Sequence, residues 1–334
     1  MDAPRYVHLL TIQKRARSQR SPVVFIHGFP DSPEIFRDYH HPTEQKESWL
    51  KGRNIFAIAF PNRLTHPVVP TLKDLWQDVL FKEFAAHLQT LVRESPTGKI
   101  AVVAHDWGAA YTWRFVRELG GEGIDRMLAL SVAATPQFDI WEHGVRALSL
   151  SYRSLLSLPY YIPATSEPVA WLLSRLAGYS GPDWKNLSKD CYHYWADIVW
   201  PLKAPFVLLG LLDRPGEELD FKFPVVFLRS SIDRLWSTEA FEQKLLQRRD
   251  CKLVILKKAQ HWFPEHQSRL VIKELRTFFD TPLETKSITR VGAEAVPAAR
   301  KKSKTSQAEA NKNAPSKKKK SKGRSAHLSH DEKS

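Results

Sequence analysis

Five consecutive residues, Ala104-His105-Asp106-Trp107-Gly108, constrain this chain more than any others. They join an apolar run, Lys99-Ile100-Ala101-Val102-Val103, to a helix-patterned run opening Ala109-Ala110-Tyr111. The run before them reads as a buried strand, so the chain must turn from strand to helix with almost no connecting loop. Small residues stand two places before and two places after Asp106, the small-x-nucleophile-x-small spacing of an elbow that lifts a reactive side chain above a sheet. Small flanks are needed because such a turn brings backbones close together, where a larger side chain would clash. A plainer reading is that Asp106 is a helix N-cap accepting backbone N–H bonds. From these five residues alone both readings stand.

Length and composition allow one large domain or a domain carrying an insertion, since the chain has 334 residues and 43% of them are apolar. Net charge is +14, but residues 285–334 hold 14 Lys and Arg against 4 Asp and Glu, so +10 belongs to the last 50 residues. Two cysteines, Cys191 and Cys251, give neither a disulfide framework nor a zinc ligand set. The N-terminal residues lack the apolar stretch of a secretion signal, and no run approaches the length of a membrane span. The expectation is a soluble, cytoplasmic protein.

Apolar runs at Pro22 to His27, Ile55 to Phe60, Met127 to Ala133, Phe223 to Leu228 and Lys252 to Leu256 read as further buried strands. Thr71 to Ser95 carries a helical stripe, and the helix after Asp106 should end at Gly120-Gly121. Strands alternating with helices predict an α/β fold with a mostly parallel, doubly wound sheet. Between Pro136 and about Leu219 the pattern becomes helical, aromatic and proline-broken, which reads as an insertion over the carboxyl edge of the sheet. The predicted organisation is a core in two parts, 1–135 and 220–284, a helical cap at 136–219, and a basic tail at 285–334 that should be disordered.

Three further segments complete a candidate catalytic set. His27-Gly28-Phe29-Pro30 follows the first apolar strand, where the backbone N–H of Phe29, with that of Trp107, would form an oxyanion hole. His261 follows the last apolar strand and is the candidate base. Asp233 follows the strand before it and is the candidate acid, with Asp139 or Glu142 as alternatives. The order nucleophile, acid, histidine is that of α/β-hydrolases.

On the His27-Gly28-Phe29-Pro30, His105-Asp106-Trp107-Gly108 and His261-Trp262 motifs, the chain over about residues 20–280 resembles α/β-hydrolases of the epoxide hydrolase and haloalkane dehalogenase group. Soluble epoxide hydrolases are the nearer branch. The resemblance implies an Asp nucleophile, an Asp-oriented His base and a cap inserted after the sixth strand. It also implies two cap tyrosines that donate to the epoxide oxygen. Tyr152 stands seven residues before Pro159, as the family's first tyrosine does. Tyr194, with Tyr192 beside it, is the equivalent of the second, although the usual Asn-aromatic-Tyr-Arg segment is not intact. Gln260 replaces the Gly of the family's Gly-His-Trp motif, and Pro61 to Pro67 replaces its Arg-Gly-aromatic-Gly loop.

The implied reaction opens a small apolar epoxide with water to a vicinal diol and needs no cofactor. Halide displacement by the same carboxylate is the alternative, with Trp107 and a cap Trp such as Trp171 holding the halide. A catalytically silent binding protein is the second alternative. In the tail, Arg300 to Lys304 and Lys317 to Arg324 form two Lys-rich clusters suited to nucleic acid, anionic lipid or nuclear import machinery.

Overall fold

The structure is a computed structural model. It describes residues 6–15, 18–29, 31–40, 50–61, 70–134, 158, 161–165, 167–169, 171–172, 219–232, 237–280 and 287–291. Most of the predicted cap, and with it Tyr152, Tyr192 and Tyr194, lies outside these residues. Asp233, Asp139 and Glu142 lie outside them as well.

Among the described residues eight strands form one sheet: β1 (His8–Gln13), β2 (Val23–Ile26), β3 (Ile55–Ala59), β4 (Ile100–His105), β5 (Ile124–Leu130), β6 (Val225–Ser230), β7 (Lys252–Leu256) and β8 (Ser287–Val291). Their spatial order is β1-β3-β2-β4-β5-β6-β7-β8. Only β1 runs antiparallel to its neighbour; every other pairing is parallel. The continuous apolar sequences of β2, β3 and β4 follow from this, because strands covered on both faces have no solvent side on which to place polar residues.

Alternate residues of the central strands feed two separate cores. Ile100, Val102 and Ala104 of β4 pack on one face with Phe84 and Leu88 of α3 (Val79–Glu94) and Trp113 of α4 (Trp107–Leu119). Ala101 and Val103 face the other way, toward Phe36, toward Tyr39 of α1 (Arg37–His40), and toward Val271, Leu275 and Phe278 of the C-terminal helix Ser268–Asp280. Helices therefore cover both faces, as the strand-helix alternation predicts. The mostly parallel, doubly wound α/β architecture expected from the sequence is the one observed, and the segment 136–219 enters after the fifth of the described strands, β5.

Three boundaries differ from expectation. The stripe at Thr71 to Ser95 is two helices, α2 (Leu72–Trp76) and α3, broken at Asp78, whose φ of 59° lies in the left-handed region. The Asp78 carboxylate accepts from the Arg114 guanidinium, which lies 3.8 Å from the Phe81 ring centroid. β1 has no counterpart in the apolar runs, because it is an edge strand whose middle residues are exposed. The third correction concerns the tail: residues 287–291, expected to be disordered, add a parallel strand to the open edge of β7. Ile288, Thr289 and Val291 have the β-branched side chains that strands favour, and an unpaired ladder needs a backbone rather than a core.

Candidate active site

β3 lies on one side of β2 and β4 on the other, so the chain reverses its winding between β2 and β4. In open α/β sheets the crevice outside the carboxyl ends of such a strand pair is where ligands bind. Here those ends run directly into His27-Gly28-Phe29 and into Asp106.

Asp106 has φ 49° and ψ −120°, a conformation that costs a non-glycine residue about 1–3 kcal/mol. Its side chain makes no capping bond to α4, so the N-cap reading fails. Instead Oδ2 accepts the Phe29 backbone N–H at 2.8 Å, and Oδ1 lies 3.4 Å from Nε2 of His261. As the first residue of α4, Trp107 carries an amide outside the helix's own i→i−4 ladder, on the same turn as the carboxylate. Burial alone would push the Asp106 carboxyl up. The His261 ring, His105 and the Phe29 N–H together hold it below the ordinary carboxylate value, so it is an anion at neutral pH.

The crowding that called for small residues is measurable. A Cβ placed on Gly108 would come within 2.5 Å of the carbonyl oxygens of both Ile26 and His27, so the helix start is packed against the end of β2. A Cβ on Gly28 would come within 2.4 Å of Asp106 Cβ and 2.6 Å of its Oδ2.

His261 is carried by the turn between β7 and a short helix, Phe263–His266. That turn is tied to the end of β6, where Ser230 Oγ donates to the Ala259 carbonyl at 2.5 Å and Ser231 Oγ accepts the Lys258 N–H at 3.1 Å. The chain leaving β6 leads within three residues of Ser230 to Asp233, which lies outside the described residues. Of the predicted site residues, the structure brings together Asp106, His261, Phe29 and Trp107.

Four polar residues, His105, Asp31, Ser131 and His27, bond to this set or to the segments that carry it and were not singled out for a role by the sequence. His105, fully buried, has Nδ1 3.3 Å from an Asp31 carboxylate oxygen and Nε2 3.3 Å from the backbone carbonyl of His261. Ser131, at φ 69°, points Oγ at the same carbonyl from 3.4 Å. His27, fully buried, has ring nitrogens 2.8 Å from the Gly28 carbonyl and 3.1 Å from the Phe60 N–H. One signal was available: His27 and His105 each follow an unbroken apolar strand directly, and a polar side chain there is buried and needs partners.

Residues 23–274 match the family model described as the alpha/beta hydrolase family, and the chain belongs to that family. No curated protein matches its sequence. Among solved structures it is similar to a laboratory-evolved variant of a potato epoxide hydrolase, with 17% identity over 84% of this chain and 98% of that one, at a TM-score of 0.54. A mutant of an epoxide hydrolase from Bacillus megaterium is 15% identical over 82% of this chain and 97% of that one, at a TM-score of 0.55. MenH from S. aureus, at 12% identity, covers 82% of this chain and 98% of its own with a TM-score of 0.54. At these identities the likeness is one of fold.

Proposed function

We propose that the protein is an epoxide hydrolase that works through an ester on Asp106. The observation that carries the reading is the carboxylate itself. It sits on a strained elbow at the switch point of the sheet, with a backbone N–H on one oxygen and an imidazole beside the other. A carboxylate can attack a saturated carbon without first losing a proton, which a serine at that elbow could not do.

Asp106 Oδ1 forms a bond to one ring carbon as that carbon's bond to the epoxide oxygen breaks. The emerging alkoxide takes a proton from a cap phenol, the role read for Tyr152 and Tyr194. His261, oriented in this reading by Asp233, removes a proton from water, and the resulting hydroxide adds to Cγ of the ester. Charge then builds on Oδ2, the oxygen that already accepts the Phe29 N–H at 2.8 Å. Collapse breaks the ester bond, the alkoxide takes the proton from His261, and the carboxylic acid left on Asp106 gives up its proton as the phenolate regains one, so that a vicinal diol leaves with carboxylate, imidazole and phenol all restored.

The test is intact-protein mass after mixing His261→Gln with aryl and fatty-acid epoxides and with chloroalkanes. An adduct of the whole epoxide mass, absent when Asp106→Ala is added, is the expected result. An alkyl adduct without halogen would make the protein a dehalogenase, and no adduct from any compound would favour a binding protein. For the tail, the reading is nuclear import through the clusters at 300–304 and 317–324. A fluorescent fusion of the full chain that stays cytoplasmic, and is unchanged by Lys317→Ala with Lys318→Ala, would overturn it.

A further inference from the structure

His27 stands one residue before the loop that offers its amide to Asp106, and its two ring nitrogens face backbone groups of opposite kind. The Phe60 N–H, 3.1 Å from Nε2, can only donate, so Nε2 must present a lone pair. In a neutral ring the proton is then on Nδ1, which donates to the Gly28 carbonyl at 2.8 Å. The same carbonyl accepts a second bond, from the Asp31 N–H at 3.1 Å.

The Gly28 carbonyl and the Phe29 N–H belong to one planar peptide and point in opposite directions. Two donors that fix the carbonyl therefore fix where the N–H points. Here it points at Asp106 Oδ2 from 2.8 Å. Gly28 has no side chain to hold this peptide by packing, and it can have none, because a Cβ there would collide with Asp106. A glycine peptide rotates more easily than any other, so the site needs an external restraint on it. We infer that His27, as the Nδ1–H tautomer, is the positioning residue that aims the Phe29 amide at the reacting carboxylate of Asp106.

The ring is suited to a permanent role rather than to titration. Complete burial holds it near a pKa of about 4, outweighing the pull of the Gly28 carbonyl and of the Asp31 and Asp106 carboxylates, with His105 acting in the same direction as burial. A proton on Nε2 would set two donors against each other at Phe60, so the buried ring must stay neutral for its bonds to survive.

The inference rests on the hydrolase reading for its consequence but not for its geometry, and two measurements on the full chain separate them. Nitrogen-15 NMR of labelled histidine should show His27 as the neutral Nδ1–H tautomer from pH 8 to below 5.5, and the Phe29 amide proton should resonate downfield through its bond to Asp106. The opposite tautomer, or titration near 6.5, overturns the inference whatever the protein does. Two variants then divide the ring. His27→Asn keeps a donor where Nδ1 is, and His27→Gln keeps an acceptor near Nε2 but nothing at Gly28. The Phe29 amide shift should survive in Asn and be lost in Gln; survival in both overturns the inference.

In single turnover with an epoxide that acylates the wild type, His27→Gln should form the ester within about threefold of the wild-type rate. It should hydrolyse that ester about 10- to 100-fold more slowly, below the full cost of deleting an oxyanion donor. His27→Asn should stay within about threefold in both steps. If both steps slow equally in His27→Gln, the ring is packing only. If the wild type forms no ester, the hydrolase reading falls and the NMR arm alone decides the inference.

Discussion

The carboxyl ends of β2 and β4 are built alike and used differently. Each strand is an unbroken apolar run, each delivers a fully buried histidine, and each has a glycine within three residues, Gly28 and Gly108. At β2 the ring is bound to two backbone groups and the chain's contribution is an amide. At β4 the ring lies between a carboxylate and the carbonyl of His261, and the contribution is a side chain on strained backbone. The two glycines interlock the ends: a Cβ on Gly108 meets the backbone of β2's end, and one on Gly28 meets the carboxylate at β4's end. The lesson is that crowding of the same magnitude protects the fold at one end and the chemistry at the other.

The largest effect should come from removing what only β4 supplies. Asp106→Ala should lower turnover by about four orders of magnitude or more, on the scale seen when a nucleophile is deleted. Alanine keeps the Cβ and with it the positive-φ strain, so thermal stability should change little, through loss of a buried carboxylate and its Phe29 bond alone. A calorimetric scan beside an epoxide turnover assay reads both, and retained turnover would remove Asp106 from the site.

Next come the two glycines. Gly28→Ala must move the Asp106 side chain, and a misplacement of about 1 Å at a reacting group costs on the order of 100-fold in rate. Its melting temperature should change little, because a side chain can yield. Gly108→Ala has only backbone to push against, and overpacking of this kind costs about 3 kcal/mol. Urea unfolding with activity at low temperature separates the pair. Equal losses of stability in both variants would break the contrast between fold and chemistry.

Sequence and structure part company along the same line. β2, β3, β4 and β7 were legible because burial on both faces leaves a continuous apolar signature. β1 and β8 were not, since an edge strand borrows its stability from a ladder partner far away, Ile55–Ala59 for one and Lys252–Leu256 for the other. At the helix break, the partner of the Asp78 carboxylate is Arg114, 36 residues on. In the site, Asp106, Phe29, Trp107 and His261 were legible because elbow and loop spacing is local. His105 and Ser131 were not, because their roles exist only where residues 105, 131 and 261 meet. Asp31 likewise acquires meaning only beside His105.

A pH dependence follows from the burial of the His27 ring at the end of β2. The His27 pKa is lowered from 6.5 to about 4 in the folded chain. Between those values the unfolded chain takes up a proton that the folded chain refuses, so stability falls as pH drops from 6.5 toward 4. The full loss is about 3 kcal/mol, and none of it is felt above pH 7. His27→Asn, which cannot titrate, should flatten that part of the curve when urea midpoints are compared at pH 7.5 and 4.5. An unchanged slope would show that other groups carry it.

The smallest effect concerns the carbonyl of His261, where β4's histidine and the end of β5 converge. His105 Nε2 and Ser131 Oγ approach it at 3.3 and 3.4 Å, long contacts that orient more than they bind. Asp106 donates its N–H to the Leu130 carbonyl, so Asp106 and Ser131 leave neighbouring strands side by side, both at positive φ. Ser131→Ala keeps the strain and loses the hydroxyl; Ser131→Gly loses both. If the hydroxyl orients the base, ester hydrolysis should slow about three- to tenfold in both variants, the span expected for one weak neutral hydrogen bond, while ester formation by Asp106 stays unchanged. If only the backbone conformation matters, glycine should hydrolyse the ester at the wild-type rate and melt higher. Single-turnover rates for the two variants decide between these, because in the proposed mechanism the base acts in the second step and the nucleophile in the first.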